Sequence, residues 1–134
     1  MGTNYYLHAP KCLHCGKESE DSLHLGKSSY GWCFGLHIYP ELNITTYHRL
    51  LDLILERSNE GWTIQDEYGK TKSIEEFRDT VENRRQSGKG MTQDWLSKNY
   101  AVKGPNGLAR HRLDGRYCLG HGEGTYDYLV GEFS

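Results

Sequence analysis

The middle of the chain carries apolar residues at helical spacing, whereas the regions nearer both ends carry them at the spacing of strands. The clearest helical pattern follows Asn43 and Thr45, either of which can cap the first turn. Charged residues lie opposite the apolar stripe, and Gly61 follows its end. The stripe consists of Tyr47, Leu50, Leu51, Ile54 and Leu55. We therefore expect an amphipathic helix that packs this stripe against a core.

A second helix is predicted from its capping residues. Ser73 precedes Glu76 by three residues, which is the spacing of a capping box. Phe77 and Val81 then lie on one narrow apolar stripe. Because the stripe is narrow, we expect this helix to lie at the protein surface and to end near Arg85.

Segments rich in tyrosine, leucine and isoleucine predict strands on both sides of the helices. They span residues 3–7, 22–39, 62–68, 108–113, 116–119 and 125–133. A shorter third helix is expected after Thr92, beyond the linker-like stretch 86–90. Strands at both ends with helices between them predict an α+β fold.

The length of 134 residues fits one domain, with a zinc knuckle and β-hairpin at 1–40, a helical middle at 41–103 and a β region at 104–134. The formal net charge is −2, which excludes a uniformly basic sleeve for nucleic acid. No stretch reaches the roughly 20 apolar residues that span a bilayer, and the first residues lack the features of a secretory signal. We expect a cytoplasmic protein without membrane contact, whose thiols stay reduced.

Two cysteines separated by two residues form the motif Cys12-Leu-His-Cys15-Gly16. Such a turn aims two sulfur atoms at one point, and zinc prefers tetrahedral sulfur and nitrogen ligands. A thioredoxin-like redox motif would instead need a helix beginning at the cysteines, which Gly16 and the polar residues after it do not favour. The motif therefore predicts half of a metal site.

The other two ligands are predicted from hairpin geometry. With Tyr30 and Gly31 as a two-residue turn, His24 lies directly across from His37, with Cβ atoms about 5 Å apart. A four-residue turn would make the two histidines diagonal neighbours, which still permits a shared ion. The same register gathers Leu23, Leu25, Leu36 and Ile38 on the opposite, core-facing side. The predicted ligands of a structural Zn²⁺ ion are Cys12, Cys15, His24 and His37, with His8, His14 and Cys33 as reserves.

The segment 108–127 concentrates the remaining reactive side chains. Asp114 and Gly115 predict a hairpin turn that places His111 opposite Cys118. Three interpretations stay open: a nucleophilic Cys–His pair or second metal site, a polar loop that carries a general acid or base or a hydrolytic metal, and a glycine-rich turn with satisfied polar groups. The catalytic candidates are His111, His121, Glu123 and Asp127.

A basic set in the same region offers a possible contact with nucleic acid. Arg110, Arg112 and Arg116, together with Lys103, can grip phosphates while Tyr117 stacks on a base. The alternative is a strand face whose charges are simply solvated, which the near balance of charges in the chain favours.

Several blocks of the chain resemble a group of small phage and prophage proteins without an assigned function. The resemblance lies in Met1–Leu7, the Cys-x-x-Cys motif, the block His24–His37 and the closing segment Cys118–Asp127, and it leaves the helical middle unmatched. It implies a bacterial cytosol and a phage accessory role against host defences, and it supplies no catalytic residues.

We predict that the chain is a zinc-stabilised phage-type accessory protein. Its function would be to bind a host macromolecule, namely a host protein. A closed site of four protein ligands leaves zinc no open position for water, which favours a structural over a catalytic ion. Rigid aromatic anchors for an interface are available in Tyr5, Tyr6, Tyr30 and Trp32. The alternatives are a small hydrolase or nuclease that uses the C-terminal His/Glu/Asp cluster, and a nucleic-acid-binding module.

Overall fold

The structure is a computed structural model that describes residues 2–10, 22–84, 92–113 and 117–131. Within these ranges the fold is mixed α+β, with three helices, a seven-stranded sheet and a small two-stranded sheet. The predicted fold class is therefore confirmed. None of the described helices is both long enough and apolar enough to cross a membrane.

The elements follow one another as strands, helices and strands. The strands are β1 (Gly2–His8), β2 (Ser22–Ser29), β3 (Phe34–His37), β4 (Thr63–Asp66), β5 (Thr71–Lys72), β6 (Ala101–Lys103), β7 (Ala109–His111), β8 (Cys118–His121) and β9 (Tyr126–Leu129). The helices are α1 (Tyr47–Asn59), α2 (Ile74–Glu82) and α3 (Gln93–Lys98), and two 3₁₀ turns span Pro40–Leu42 and Pro105–Gly107.

The large sheet has the strand order β5-β4-β1-β2-β3-β9-β8, and β6 and β7 form the small sheet. Neighbouring strands of the large sheet are antiparallel except β3 and β9, which run parallel from the Phe34–Tyr126 pair onward. Strands from both ends of the chain therefore share one sheet.

The main core lies between the large sheet and the two longer helices. From α1 and α2 it takes Tyr47, Leu50, Ile54, Phe77 and Val81, and from the strands Tyr5, Leu7, Leu25, Phe34, Leu36, Ile64 and Tyr126. A second cluster joins α3 to the small sheet through Leu96, Ala101 and Ala109, with Trp32 and Trp95 packed against it.

Helix α1 has the predicted apolar stripe but a different cap. The side chain of Thr46 accepts a hydrogen bond from the backbone N–H of Arg49, so neither Asn43 nor Thr45 caps the helix. Asn43 instead adopts a left-handed conformation, with φ of 61°, at the end of the first 3₁₀ turn. Leu55, at the margin of the stripe, is 51 % exposed.

Helix α2 has the predicted capping box, because Ser73 and Glu76 exchange both hydrogen bonds. It ends at Glu82, slightly earlier than expected. Phe77 and Val81 are fully buried, whereas the polar residues of the helix are mostly exposed. A narrow apolar stripe thus fixes a surface helix, as predicted.

The turn at Tyr30 and Gly31 is present, but the predicted strand register is wrong by one residue. The N–H of Trp32 donates to the carbonyl of Ser29, which closes the turn. The strands pair as Gly26 with Leu36, instead of Leu25 with Leu36. The cause is a long-range contact, since the segment after the turn leaves the hairpin and forms backbone bonds to Ala109 in β7.

A β-bulge in β2 compensates for this shift. Tyr5 pairs with Gly26 and Tyr6 pairs with His24, so Leu25 is an extra residue in the ladder. A one-residue shift moves side chains to the opposite face of a strand, and a bulge returns them. His24 and His37 therefore meet on one face, as predicted.

The hairpin predicted in the C-terminal region is not formed. Strand β7 pairs with β6, as in Val102 with Arg110, and β8 pairs with β9, as in Gly120 with Tyr128. The other edge of β7 bonds to the segment around Trp32. The predicted placement of His111 opposite Cys118 across a hairpin is therefore wrong, and its turn at 114–115 lies outside the described residues.

Candidate functional site

His24 in β2 and His37 at the end of β3 bring their imidazole rings together. Their Nδ1 atoms lie 2.9 Å apart, and the ring centroids are separated by 5.1 Å with nearly perpendicular planes. Both side chains are partly buried. The predicted hairpin register was wrong by one residue, but the two histidines still meet as predicted.

Hydrogen bonds fix the tautomer of His24. Its Nε2 lies 2.8 Å from Oδ1 of Asn4, and because a carboxamide oxygen only accepts, Nε2 is the donor. In neutral His24 the lone pair therefore lies on Nδ1, which faces His37. Tyr39 stacks on the His37 ring at 4.1 Å and donates its hydroxyl hydrogen to the carbonyl of His24.

Both imidazoles are held in the neutral form. Burial lowers the pKa of His24 to about 4, and the nearby charges of His37 and Lys27 act in the same direction. Burial also lowers the pKa of His37, although Glu41 opposes this shift. Neutral imidazole is the form that coordinates a metal ion.

The two histidines supply one feature that a zinc site would need, which is a close pair of ring nitrogen atoms. Two nitrogen ligands of a tetrahedral zinc ion lie about 3.3 Å apart, whereas the 2.9 Å between these Nδ1 atoms is the length of a hydrogen bond. The bond from Asn4 to the far nitrogen of His24 is the kind that orients metal-bound histidines. Among the described residues no group of three or more His, Cys, Asp or Glu side chains could hold a metal. A zinc site at these histidines would therefore need ligands from outside the described residues.

Cys12, Cys15 and His14 lie outside the described residues. The chain enters segment 11–21 after Pro10 and leaves it at Ser22. Ser22 pairs with His8, two ladder positions beyond the pair that contains His24. The described residues on either side of this segment therefore lie in β1 and β2, close to His24. The reserve ligand Cys33 is elsewhere, since its thiol is buried against Gly104.

A second group of polar side chains is centred on Asp127, which is fully buried in β9. Its carboxylate accepts hydrogen bonds of 2.9 Å from Nε of Arg110 and from the backbone N–H of His111. The same carboxylate lies 3.2 Å from Nδ1 of His111. Asp127 therefore orients His111, which is the role of the third group in a catalytic triad.

His121 joins this group and Glu123 does not. The Nε2 atom of His121 donates to the carbonyl oxygen of His111 at 2.6 Å. Glu123 is exposed on the turn between β8 and β9. The structure thus brings together three of the four catalytic candidates.

The described cysteines are not activated nucleophiles. Burial, followed by the charge of Asp127, raises the pKa of Cys33 to about 11. The pKa of Cys118 is raised by the same two causes. Near neutral pH both thiols are therefore protonated, which argues against the predicted Cys–His nucleophile.

Beside His111 lies a cavity of about 210 Å³ that was not predicted from the sequence. It is lined by Lys27, Ser29, Trp32, Cys33, Gly35, His111, Tyr117 and Leu129. The Trp32 and His111 ring centroids are 4.9 Å apart. These residues come from widely separated elements, so no local motif could have revealed the cavity.

The predicted basic set does not form a shared surface among the described residues. Arg110 has a side chain only 12 % exposed and pairs with Asp127. The guanidinium of Arg112 lies 5.0 Å above the Tyr100 ring, and Arg116 lies outside the described residues. The structure therefore gives Arg110 an internal role in place of the predicted contact with phosphates.

The predicted aromatic anchors separate into core and surface residues. Tyr5 belongs to the core, and Trp32 packs against the second cluster. Tyr30 is 67 % exposed and, with the exposed Tyr68, lines a groove of about 450 Å³ that also contains Asp79. Tyr30 and Tyr68 thus give this groove two exposed aromatic side chains.

Comparison with models of protein families, with curated proteins and with solved structures finds no match to this chain. The resemblance to phage and prophage proteins therefore stays a prediction, and functional inference depends on the geometry of the sites described above.

Proposed function

We propose that this chain is a zinc-stabilised accessory protein of phage type that binds a host macromolecule. The observation that carries the proposal is the convergence of the Nδ1 atoms of His24 and His37, with Asn4 orienting the first ring. With Cys12 and Cys15 as the other ligands, the ion has four protein ligands and no open position. Such an ion supports a fold and does not activate water.

The energetic role of the ion follows from general magnitudes. Structural zinc contributes about 10–16 kcal/mol in small zinc peptides, whereas the net stability of a whole domain is about 5–15 kcal/mol. Because β2 carries His24, and β1 and β2 flank the cysteine segment, loss of the ion would loosen the centre of the large sheet.

Elemental analysis of the purified, chelator-washed protein tests the metal. We expect one zinc per chain, lost in the Cys12→Ser/Cys15→Ser variant and in His24→Ala. His48→Ala is the matched control, because His48 is exposed on α1. Asn4→Ala should weaken zinc binding by about 10- to 100-fold without removing a ligand. A folded, metal-free wild-type protein, or full zinc content in His24→Ala, would contradict the proposal.

The groove beside Tyr30 and Tyr68 is the surface we propose for the host partner. Tyrosine offers a large, rigid contact area with a polar end, which suits interface anchors. The test is capture of partners from bacterial lysate by the wild type, by Tyr30→Ser/Tyr68→Ser and by Tyr100→Ser. Tyr100 is a matched control because it is also exposed. A partner lost only in the double variant supports the assignment, whereas equal retention by all three proteins contradicts it.

Hydrolase or nuclease activity is a second candidate, and one observation favours it. Asp127 orients His111, so a histidine in general-base geometry borders a cavity. The test is turnover of phosphodiester and ester substrates by the wild type and by His111→Ala, with His48→Ala as the control. Turnover that persists in His111→Ala would exclude this site.

A further inference from the structure

The groove beside Tyr30 and Tyr68, of about 450 Å³, lies where the large sheet meets α2. Its lining comes from the beginning of β1, the end of β2, the last turns of α2 and Arg84 just beyond the helix. The strand order places β1 and β2 between β4 and β3. Because Tyr68 follows β4 and Tyr30 follows β2, the two exposed tyrosines stand on opposite sides of the groove.

Arg84 is held in a fixed position in this lining. Its Nε atom donates a hydrogen bond of 2.7 Å to the carbonyl of Trp32, and Nη2 donates one of 2.8 Å to the carbonyl of Ser29. Both acceptors belong to the turn that follows β2, so the guanidinium joins the end of α2 to this turn. A ligand that binds a group already fixed in this way loses less conformational entropy.

The two carbonyl groups leave the charge of Arg84 without a counter-charge. No described carboxylate forms an ion pair with Arg84, and no described residue accepts a hydrogen bond from its third nitrogen, Nη1. Burial lowers the pKa of Arg84, as expected for a cation partly removed from water, although the guanidinium stays protonated. A partly buried cation without a partner of opposite charge favours an anionic ligand.

Tyr5 offers a second hydrogen-bond donor to such a ligand. Its ring packs against Phe34 and Phe77 in the main core, and the residue is only 9 % exposed. Tyr5 nevertheless lines the groove and acts electrostatically on Arg84, which places its hydroxyl towards the guanidinium. Within the part of the chain that the structure describes, this hydroxyl forms no hydrogen bond. A ligand in the groove can therefore accept it.

Asp79 limits the kind of anion that fits. It is exposed on α2, lines the same groove and accepts a hydrogen bond of 3.3 Å from the side chain of Asn83. Because its negative charge opposes further negative charge, a doubly charged phosphate is less favourable here than a singly charged carboxylate. One guanidinium is sufficient to pair with one carboxylate.

We propose that this groove binds the carboxylate of an aspartate or glutamate side chain in an exposed segment of the partner protein, with Arg84 and Tyr5 as the donors. A segment that passes across the groove contacts both Tyr30 and Tyr68, whereas a chain end would need only one of them. Aromatic side chains around the ion pair exclude water and so strengthen it. The inference rests on the proposed host-partner groove and names the chemistry that is recognised there.

NMR titration of the isotopically labelled full chain tests this proposal. The probes are N-acetylglutamate methylamide, its neutral glutamine counterpart, N-acetylglycine as a terminal carboxylate, and inorganic phosphate. We expect the glutamate probe to shift the Nε–H signal of Arg84 and to saturate at millimolar concentration, with the glutamine probe at least about 10-fold weaker. No saturable shift, tighter binding of N-acetylglycine, or tighter binding of phosphate would overturn the assignment to an acidic side chain.

Variants locate the site through effects of opposite sign. Arg84→Gln should weaken binding of the glutamate probe by about 10- to 100-fold, and Tyr5→Phe by about 3- to 10-fold. Asp79→Asn should strengthen binding by about 2- to 5-fold, because it removes a repulsive charge. Arg49→Gln is the matched control, since Arg49 is exposed on α1.

Arg84 also anchors two carbonyl groups, so circular dichroism is needed to show that Arg84→Gln folds. Tyr5→Phe and Asp79→Asn leave those bonds intact, and unchanged binding in both would overturn the proposal. A host partner whose capture depends on Tyr30 and Tyr68 but not on Arg84 would overturn this inference and leave the proposed function standing. Probe binding at Arg84 without a captured partner at the groove would have the opposite meaning.

Discussion

The carboxylate of Asp127, fully buried in β9, accepts a 2.9 Å hydrogen bond from Nε of Arg110 in β7. This ion pair joins the large sheet to the small one, and a second nitrogen of Arg110 donates to the carbonyl of Tyr126 at 3.0 Å. Because both charged groups are buried, neither interacts with water, and each is compensated only by the other.

Removing one partner of this pair should therefore be costly. We expect Asp127→Asn to lower the free energy of unfolding by about 3–5 kcal/mol, because it leaves the Arg110 guanidinium buried and uncompensated. Urea denaturation measures the change. Asp94→Asn is the control, since the Asp94–Lys98 pair is highly exposed and should change stability by less than about 0.5 kcal/mol. Equal effects of the two substitutions would contradict the internal role assigned to Arg110.

A hydrogen bond also joins the two longer helices. The hydroxyl of Tyr47, at the start of α1, donates to the carboxylate of Glu82, at the end of α2, over 2.7 Å. We expect Tyr47→Phe to lower the free energy of unfolding by about 1–2 kcal/mol. Tyr68→Phe, at an exposed position, should have no measurable effect. A Tyr47→Phe variant as stable as the wild type in urea would show that this bond makes no net contribution.

The lowered pKa of the Glu82 carboxylate predicts that the protein loses stability in acid. The hydrogen bond from Arg78 lowers the folded-state pKa of Glu82 below its ordinary value of 4.5, and the bond from Tyr47 acts in the same direction. The resulting stabilisation is present above pH 4.5 and is lost as the pH falls through the lower folded-state value. Thermal melting between pH 3 and 6 should therefore show a steeper acid slope for the wild type than for Glu82→Gln. Parallel curves would contradict this linkage.

Gly26 is required by the close approach of two strands. Its φ is +151°, and a Cβ atom there would lie 2.4 Å from the carbonyl oxygen of Gly35 and from the Phe34 ring. We expect Gly26→Ala to destabilise the fold by about 2–4 kcal/mol through crowding and backbone strain. Gly69 also has a positive φ, but nothing lies within 4 Å of its Cβ position. Gly69→Ala should therefore cost only about 1–2 kcal/mol in the same denaturation experiment.

Thiol reactivity should distinguish the buried cysteines, Cys33 and Cys118, from the proposed zinc ligands, Cys12 and Cys15. The raised pKa values of Cys33 and Cys118 keep both as slowly reacting thiols near neutral pH. Metal ligation would protect Cys12 and Cys15 in the loaded protein. We expect Ellman's reagent to find no rapidly reacting thiol in the zinc-loaded protein at pH 7.5, and all four thiols after denaturation in the presence of a chelator. Rapid labelling of Cys33 in the native protein would contradict the assigned burial.

Features that depend on contacts within a few residues were predicted well. Ser73 and Thr92 cap the helices that follow them, because the bonds involved reach only three residues along the chain. The cap of α1 was misplaced because Thr46 follows the predicted Thr45 directly, and only the backbone conformation selects Thr46. The turn at Tyr30 and Gly31 was predicted for the same local reason.

Features that depend on distant partners were not predicted. Ala109 draws the segment after the Tyr30–Gly31 turn out of the hairpin, and nothing near the turn signals this. The orientation of His111 by Asp127 arises only when β7 packs over β9. Asn4 could have been found once β1 and β2 were paired, since alternation places it on the same face as Tyr6, opposite His24.

The parallel pairing of β3 with β9 imposes an order on folding during synthesis. The pairing begins at Phe34 and Tyr126, so β3 is translated long before its partner. In that interval β3 is an open sheet edge whose amide and carbonyl groups offer a template to other nascent chains. Sheets assembled from such distant segments also form slowly. A ribosome stalled before β9 would therefore present an aggregation-prone intermediate, and chaperones that cover strand edges should raise the yield of native protein.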